Sequence, residues 1–217
     1  MAVGEVRGEQ RAGRVARVLL GFQRGVDRVS EGLGWLAKWL VPVCVMVAFV
    51  NVVLRYVGRA QGRSLTSNRY IEAQWMLFGA IFLLAFPYIL KHNVNVRVDF
   101  WFQGFSRKRK ALIDFVGHLV ALVPYCLFAL WVTWDYALRS LFQKGERWGT
   151  WKVWEVWEQS ADANGLPRGP IKMLLLAGFA FLLAQTLAEL VKLGFVLAEK
   201  ADLAAPEAPS ETPLRVE

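Results

Sequence analysis

Cysteine and histidine are nearly absent: the 217-residue chain has two of each. Cys44 and Cys126 both fall inside apolar blocks, and neither a C-x-x-C pair nor a Cys/His cluster with zinc-ligand spacing occurs. Free cysteine in such a setting behaves as a small hydrophobe, so no structural disulfide is expected. Acidic residues are also few, 18 Asp and Glu against 26 Lys and Arg, for a formal charge of +8. In a soluble chain that excess would suggest nucleic acid. Here the basic residues lie almost wholly before and between the apolar blocks, where headgroups and membrane orientation place them, and no nucleic-acid partner is expected. Nor does a small-residue cleavage site follow the first apolar block, which begins at Trp35 and exceeds the ~7–15 residues of a signal core, so it reads as a retained anchor.

What the chain has in excess is hydrophobic sequence, 55% of all residues against a usual ~45–50%. The excess is concentrated in four blocks, 35–57, 70–90, 112–134 and 171–190. Each is near the ~20 residues that carry a helix across a ~30 Å hydrocarbon core. The spacing predicts an all-α integral membrane protein with four transmembrane helices. Pro42, Pro87 and Pro124 fall inside these blocks, which a membrane bundle tolerates because neighbouring groups re-satisfy the freed carbonyls. Fourteen Lys and Arg lie in 1–34, 91–110 and the tail from 198, against seven in 58–69 and 143–170. That asymmetry, with the run Arg107-Lys108-Arg109-Lys110 abutting the third block, predicts both termini on the cytoplasmic side.

The flanking segments extend this plan. Val15, Val18, Leu19, Phe22, Val26 and Val29 follow helical spacing, with arginines between them. The segment 1–34 therefore predicts an amphipathic helix on the inner membrane face. A second apolar stretch, 96–105, reads either as another interfacial element or as a cytoplasmic turn. Residues 35–197 form the membrane domain. The Pro- and Glu-rich tail, 198–217, is expected to be disordered. Trp148, Trp151, Trp154 and Trp157 recur every third residue in the long outer connection, a spacing that spreads the rings over half a helix surface. They anchor that connection in the interface or dock a periplasmic partner.

Polar residues in the spans are costly and each asks for a reason. Arg55 ends the first span and Glu72 opens the second, so an ion pair across this hairpin is expected to fix the two helices. Asn51 and Gln74 lie nearby and suit a hydrogen bond between helices or to another subunit. Toward the inner end, Asp114 and His118 on the third span and Glu189 and Lys192 on the fourth either cluster or snorkel to water. The middle of every span is otherwise Val, Leu, Phe and Ala, with only Asn51 and Gln185 approaching the interior. No internal repeat and no Gly-rich interruption suits an ion or substrate site, so the chain does not read as a pore or as a transporter acting alone. No catalytic, metal or cofactor site is expected. A haem-bearing electron-transfer subunit, ligated by His92 and His118, is the alternative from another class.

The ordered motifs 51–56 (NVVLRY), Glu72 opening an apolar span, and 93–99 (NVNVRVD) before a basic segment resemble the small membrane subunit of tripartite ATP-independent periplasmic (TRAP) transporters. Arg55, Tyr56, Glu72, Val96, Arg97, Val98 and Asp99 match that family's pattern, while Asn95 stands where the family carries His. Glu158-Gln159-Ser160, Gly165-Leu166-Pro167 and Lys172 resemble the family's approach to its last span. The resemblance implies a scaffold in the bacterial inner membrane. Its partners would be a large membrane subunit, which performs sodium-driven uptake of an organic acid or related solute, and a periplasmic solute-binding protein. It further implies that Arg97 and Asp99 orient an inner interfacial element and that the substrate site belongs to the partners.

Overall fold

A computed structural model describes residues 14–94, 105–142 and 157–198, and these are overwhelmingly helical. The helices are α1 (Arg14–Ala60), α2 (Asn68–Lys91), α3 (Arg107–Gly117), α4 (Val123–Leu141) and α5 (Gly169–Leu197). A π turn, His118–Leu122, joins α3 and α4 into one rod. Each apolar block lies inside one of the four rods, and each rod is long and apolar enough to cross a membrane. The all-α fold with four membrane helices is the one that the hydrophobic blocks imply.

The prolines are absorbed in different ways. Pro124 sits in the first turn of α4, where its ring would clash with the carbonyl of Val120, four residues earlier, in a regular helix. The π turn resolves the conflict by lengthening the register, and Val123 N–H donates to His118 O five residues back. Pro87 is fully buried in α2 and cannot bond the Leu83 carbonyl. At that point α5 comes very close: a Cβ added to Gly178 would lie 3.0 Å from Leu83 Cβ and 3.5 Å from Leu83 O. A side chain at Gly178 would force Leu83 to give way, so glycine favours this close approach.

The amphipathic periodicity before residue 35 runs on into the first span, and α1 is unbroken for 47 residues, about 70 Å at ~1.5 Å per residue. The junction SEGLG contains no proline, and its two glycines cost only about 1 kcal/mol each. Bonds from Asp27 to the end of α5 and from Glu31 to the end of α2 tie this part of α1 to the bundle. In this first half Leu20, Gln23 and Ser30 are buried, whereas Val15, Val18, Phe22 and Val29 stay exposed. The apolar stripe therefore faces away from the bundle.

Packing converges on α5, which touches α1, α2, α3 and α4, while α1 lies mainly along α2. That position accounts for a helix apolar on nearly every side. Leu90, Cys126 and Leu182 form the buried centre, joined by Phe86, Leu122 and Phe179.

Candidate functional site

The side chains that cannot remain bare in a bilayer gather at the two ends of this bundle. At one end, α2 begins on Ser67, an extended N-cap residue whose hydroxyl accepts from Arg69 N–H. The first turn of α2 then seizes the segment leading into α5. Asn68 Nδ2 donates to Ala163 O at 3.1 Å, and Arg69 Nε donates to Asn164 O at 3.2 Å. Asn164 adopts φ +58°, a left-handed conformation that Asn reaches more readily than most residues.

Glu72 is the centre of this latch and is 2% exposed. Its carboxylate accepts from the Ser160 hydroxyl and from Leu166 N–H, with the Arg168 guanidinium 3.8 Å away. Arg168 also donates to Ser160 Oγ at 3.2 Å, and its backbone N–H donates to Glu158 O at 2.8 Å. A Cβ on Gly165 would lie 2.7 Å from Glu72 Oε2 and would also strike Ser160. A buried carboxylate is tolerable only when donors surround it, and here backbone, hydroxyl and guanidinium all do so.

The same segment reaches the third rod. Glu158 N–H donates to Ser140 O at 2.8 Å. Lys172 donates to the Glu158 carboxylate and lies 3.9 Å from the centre of the Tyr136 ring. The Lys172 ammonium is the chief cause that holds the Glu158 carboxyl below its ordinary value of about 4.5, with burial opposing it in part. One short segment thus ties the start of α2, the end of α4 and the start of α5.

Between the ends, Asn51 Nδ2 donates to Gln74 Oε1 at 3.3 Å, a polar rung between α1 and α2. At the opposite end, Gln185 is fully buried and spans three partners. It accepts from Ser30 Oγ at 2.6 Å and donates to Asp27 Oδ1 at 3.0 Å and to Glu189 Oε1 at 2.8 Å. Lys192 closes the cluster with bonds of 3.1 Å to Asp27 and 2.7 Å to Glu189. Beside it, Glu31 receives Lys91 at 2.6 Å and His92 Nε2 at 2.7 Å. Two polar latches therefore clamp the bundle, and every charged group named in them is committed to another part of the same chain.

The family model for Tripartite ATP-independent periplasmic transporters, DctQ component, matches residues 44–194. The chain belongs to the DctQ family. It is thus a transporter component, the small membrane subunit of a TRAP system, placed by that family and its four apolar helices as a multi-pass protein of the inner membrane. The family associates with a large membrane subunit and a periplasmic binding protein. Neither the curated proteins nor the solved structures gave a match. The matched segment contains the Glu72 latch, the Asn51–Gln74 rung and the α5 side of the second latch, but not Asp27, Ser30 or Glu31.

The DctQ chain corrects one expectation from its sequence. Arg55 does not bridge to Glu72; both Glu72 oxygens are taken by the segment before α5, and the Arg55 side chain is exposed. The reason is angular. Gln74 faces Asn51 on α1, and residues two positions apart on a helix point ~200° from each other, so Glu72 looks toward α5. Tyr56 is 67% exposed beside Arg55. Trp157 is half-buried, with its ring against Gly169 at the start of α5, so that indole is spent at least partly inside the chain. Arg97, Asp99, Trp148, Trp151 and Trp154 lie outside the described residues. His92, one of the two imidazoles a haem would require, gives its Nε2 to Glu31 and lies 4.3 Å from the Tyr88 ring, and nothing in this geometry favours that alternative.

Sequence reading missed Ser160, Leu166 and Arg168 as partners of Glu72, and Asp27 and Ser30 as partners of Gln185 and Lys192. A signal existed for the second pair. Leu20, Gln23, Asp27 and Ser30 recur at i, i+3, i+7 and i+10, the spacing of a packed helix face.

Proposed function

We propose that this DctQ subunit is the static scaffold of its transporter. It holds a large subunit in the bilayer while that partner performs sodium-driven, binding-protein-dependent uptake of an organic acid or related solute. The observation that carries this reading is the internal commitment of charge: Glu72, Glu158, Lys172, Asp27, Glu189 and Lys192 are all joined within the chain. A transport pathway needs polar groups free to exchange partners, whereas a scaffold needs them locked.

Both termini face the cytoplasm in this reading, so the Glu72 latch is periplasmic and the Gln185 latch cytoplasmic. The first half of α1 then sits at the inner membrane surface, its exposed Val15, Val18 and Phe22 turned to the lipid. Arg55 and Tyr56 are offered to the large subunit on the outward side of α1, and Asn51 and Gln74 stiffen the helix behind them. Glu72 acts on that interface indirectly, by fixing α2 to α5. Arg97 and Asp99 orient the inner connection, and the tryptophans from Trp148 onward anchor the outer connection or meet the binding protein.

Co-expression with the large subunit tests the proposal. A stable complex should survive mild detergent, and Arg55→Ala should lower its yield more than it lowers the melting temperature of the isolated DctQ chain. Absence of any complex in the wild type would refute the scaffold reading.

A further inference from the structure

Beside the Gln185 latch, the first half of α1 leaves a groove against α5 of about 350 Å³, lined by Gly21, Phe22, Gly25, Val26, Phe181 and Ala184. Its walls are almost wholly apolar, and it opens on the side of α1 that carries the exposed Val18 and Val29. A Cβ at Gly21 or Gly25 would meet nothing within 4 Å. Close packing among the described residues therefore does not explain these glycines.

Charge indicates the occupant. Arg14, Arg17 and Arg28 are exposed along this half of α1. The only acidic residues on the same stretch are Asp27 and Glu31. Asp27 is bound to Lys192 and Gln185, and Glu31 to Lys91 and His92. Both carboxylates have been drawn into the bundle, so the helix turns exposed guanidinium groups outward near an apolar slot. An anionic headgroup joined to an acyl chain satisfies both features at once.

We infer that the groove between α1 and α5 holds an anionic phospholipid, with an acyl chain over Gly21 and Gly25 and its headgroup drawn by the positive field of the exposed Arg17 and Arg28. This rests on the placement of α1's first half at the inner membrane surface. The lipid would act as a wedge that fixes the angle at which α1 leaves the bundle.

The test is native mass spectrometry of the full-length, delipidated chain, titrated with phosphatidylglycerol or phosphatidylcholine. The wild type should retain phosphatidylglycerol at least about tenfold more tightly, and Arg17→Gln and Arg28→Gln should each erode that preference about fivefold. Gly25→Leu fills the slot without altering charge and suits a helix better than glycine. It should weaken both lipids about tenfold, the worth of roughly two buried methylenes. Equal affinity for the two lipids, or a preference unmoved by the arginine variants, overturns the inference. An unchanged Gly25→Leu reduces the effect to surface adsorption and overturns the groove. Exclusive crosslinking of a Gly25→Cys chain to the large subunit in the assembled complex would also overturn it. Complex yield with the large subunit, read separately, reports on the scaffold proposal alone.

Discussion

Replacing Gln185 by leucine removes the one side chain that joins Ser30, Asp27 and Glu189. Leucine nearly conserves volume, so the loss is polar rather than a cavity. Hydrogen bonds between membrane helices average ~0.6 kcal/mol and reach ~1.7. The three bonds of Gln185 together then stabilise the fold by roughly 2 kcal/mol, with an upper bound near 5. Lys192 continues to hold Asp27 and Glu189, so the lower part of that range is expected. Ser30→Ala removes a single bond and should cost about a third as much. Gln185→Glu should be worse than either, because a third carboxylate would enter beside two others. Reversible unfolding in mixed micelles, or steric trapping in bicelles, measures all three variants. The reasoning is refuted if Gln185→Leu is neutral or stabilising, or if Ser30→Ala costs as much as Gln185→Leu.

At the other latch, Gly165→Ala should lower the melting temperature by several degrees, because its Cβ would intrude 2.7 Å from Glu72 Oε2 and overpacking costs ~1–3 kcal/mol; a thermal scan in detergent checks this. Glu72→Ala should destabilise the isolated chain more than Arg55→Ala, since Glu72 has partners inside the chain and the Arg55 side chain is exposed; equal melting temperatures would contradict it. For Glu158, a folded pKa below the unfolded value of about 4.5 means that its pairing with Lys172 stabilises above that pH and is lost as pH falls through the folded value. Glu158→Gln should accordingly flatten the acid side of a melting-temperature profile below about pH 4.5 and leave its alkaline side unchanged. Gly178→Leu should separate α2 from α5 and prove the most damaging glycine variant within the spans, measured as loss of monodisperse protein on gel filtration.

The spans were legible because a bilayer demands long apolar runs, and this signal survives without any knowledge of packing. The Asn51–Gln74 rung was legible too, as the two residues lie near a short hairpin. The Glu72 latch was not. Its partners come from 88 and 94 positions further along the chain, and one is a backbone N–H that no side-chain pattern announces. Helix geometry nonetheless held part of the answer, since Gln74 facing α1 leaves Glu72 pointing elsewhere. Asp27 was hidden for a different reason. The apolar residues of α1's first half draw attention to the stripe that contains Val15 and Val18, whereas the bundle grips the polar stripe of Gln23, Asp27 and Ser30. In a membrane protein the buried face is often the more polar one, and the usual inside-outside rule then misleads.

The central claim, that this DctQ chain steadies a transporter without moving solute itself, is tested most directly by reconstituted uptake. Proteoliposomes would contain this chain alone, the large subunit alone, or both, with binding protein and a sodium gradient supplied in every case. Uptake only when both membrane subunits are present is the predicted result. Solute accumulation by this chain alone, or full activity of the large subunit without it, would contradict the account.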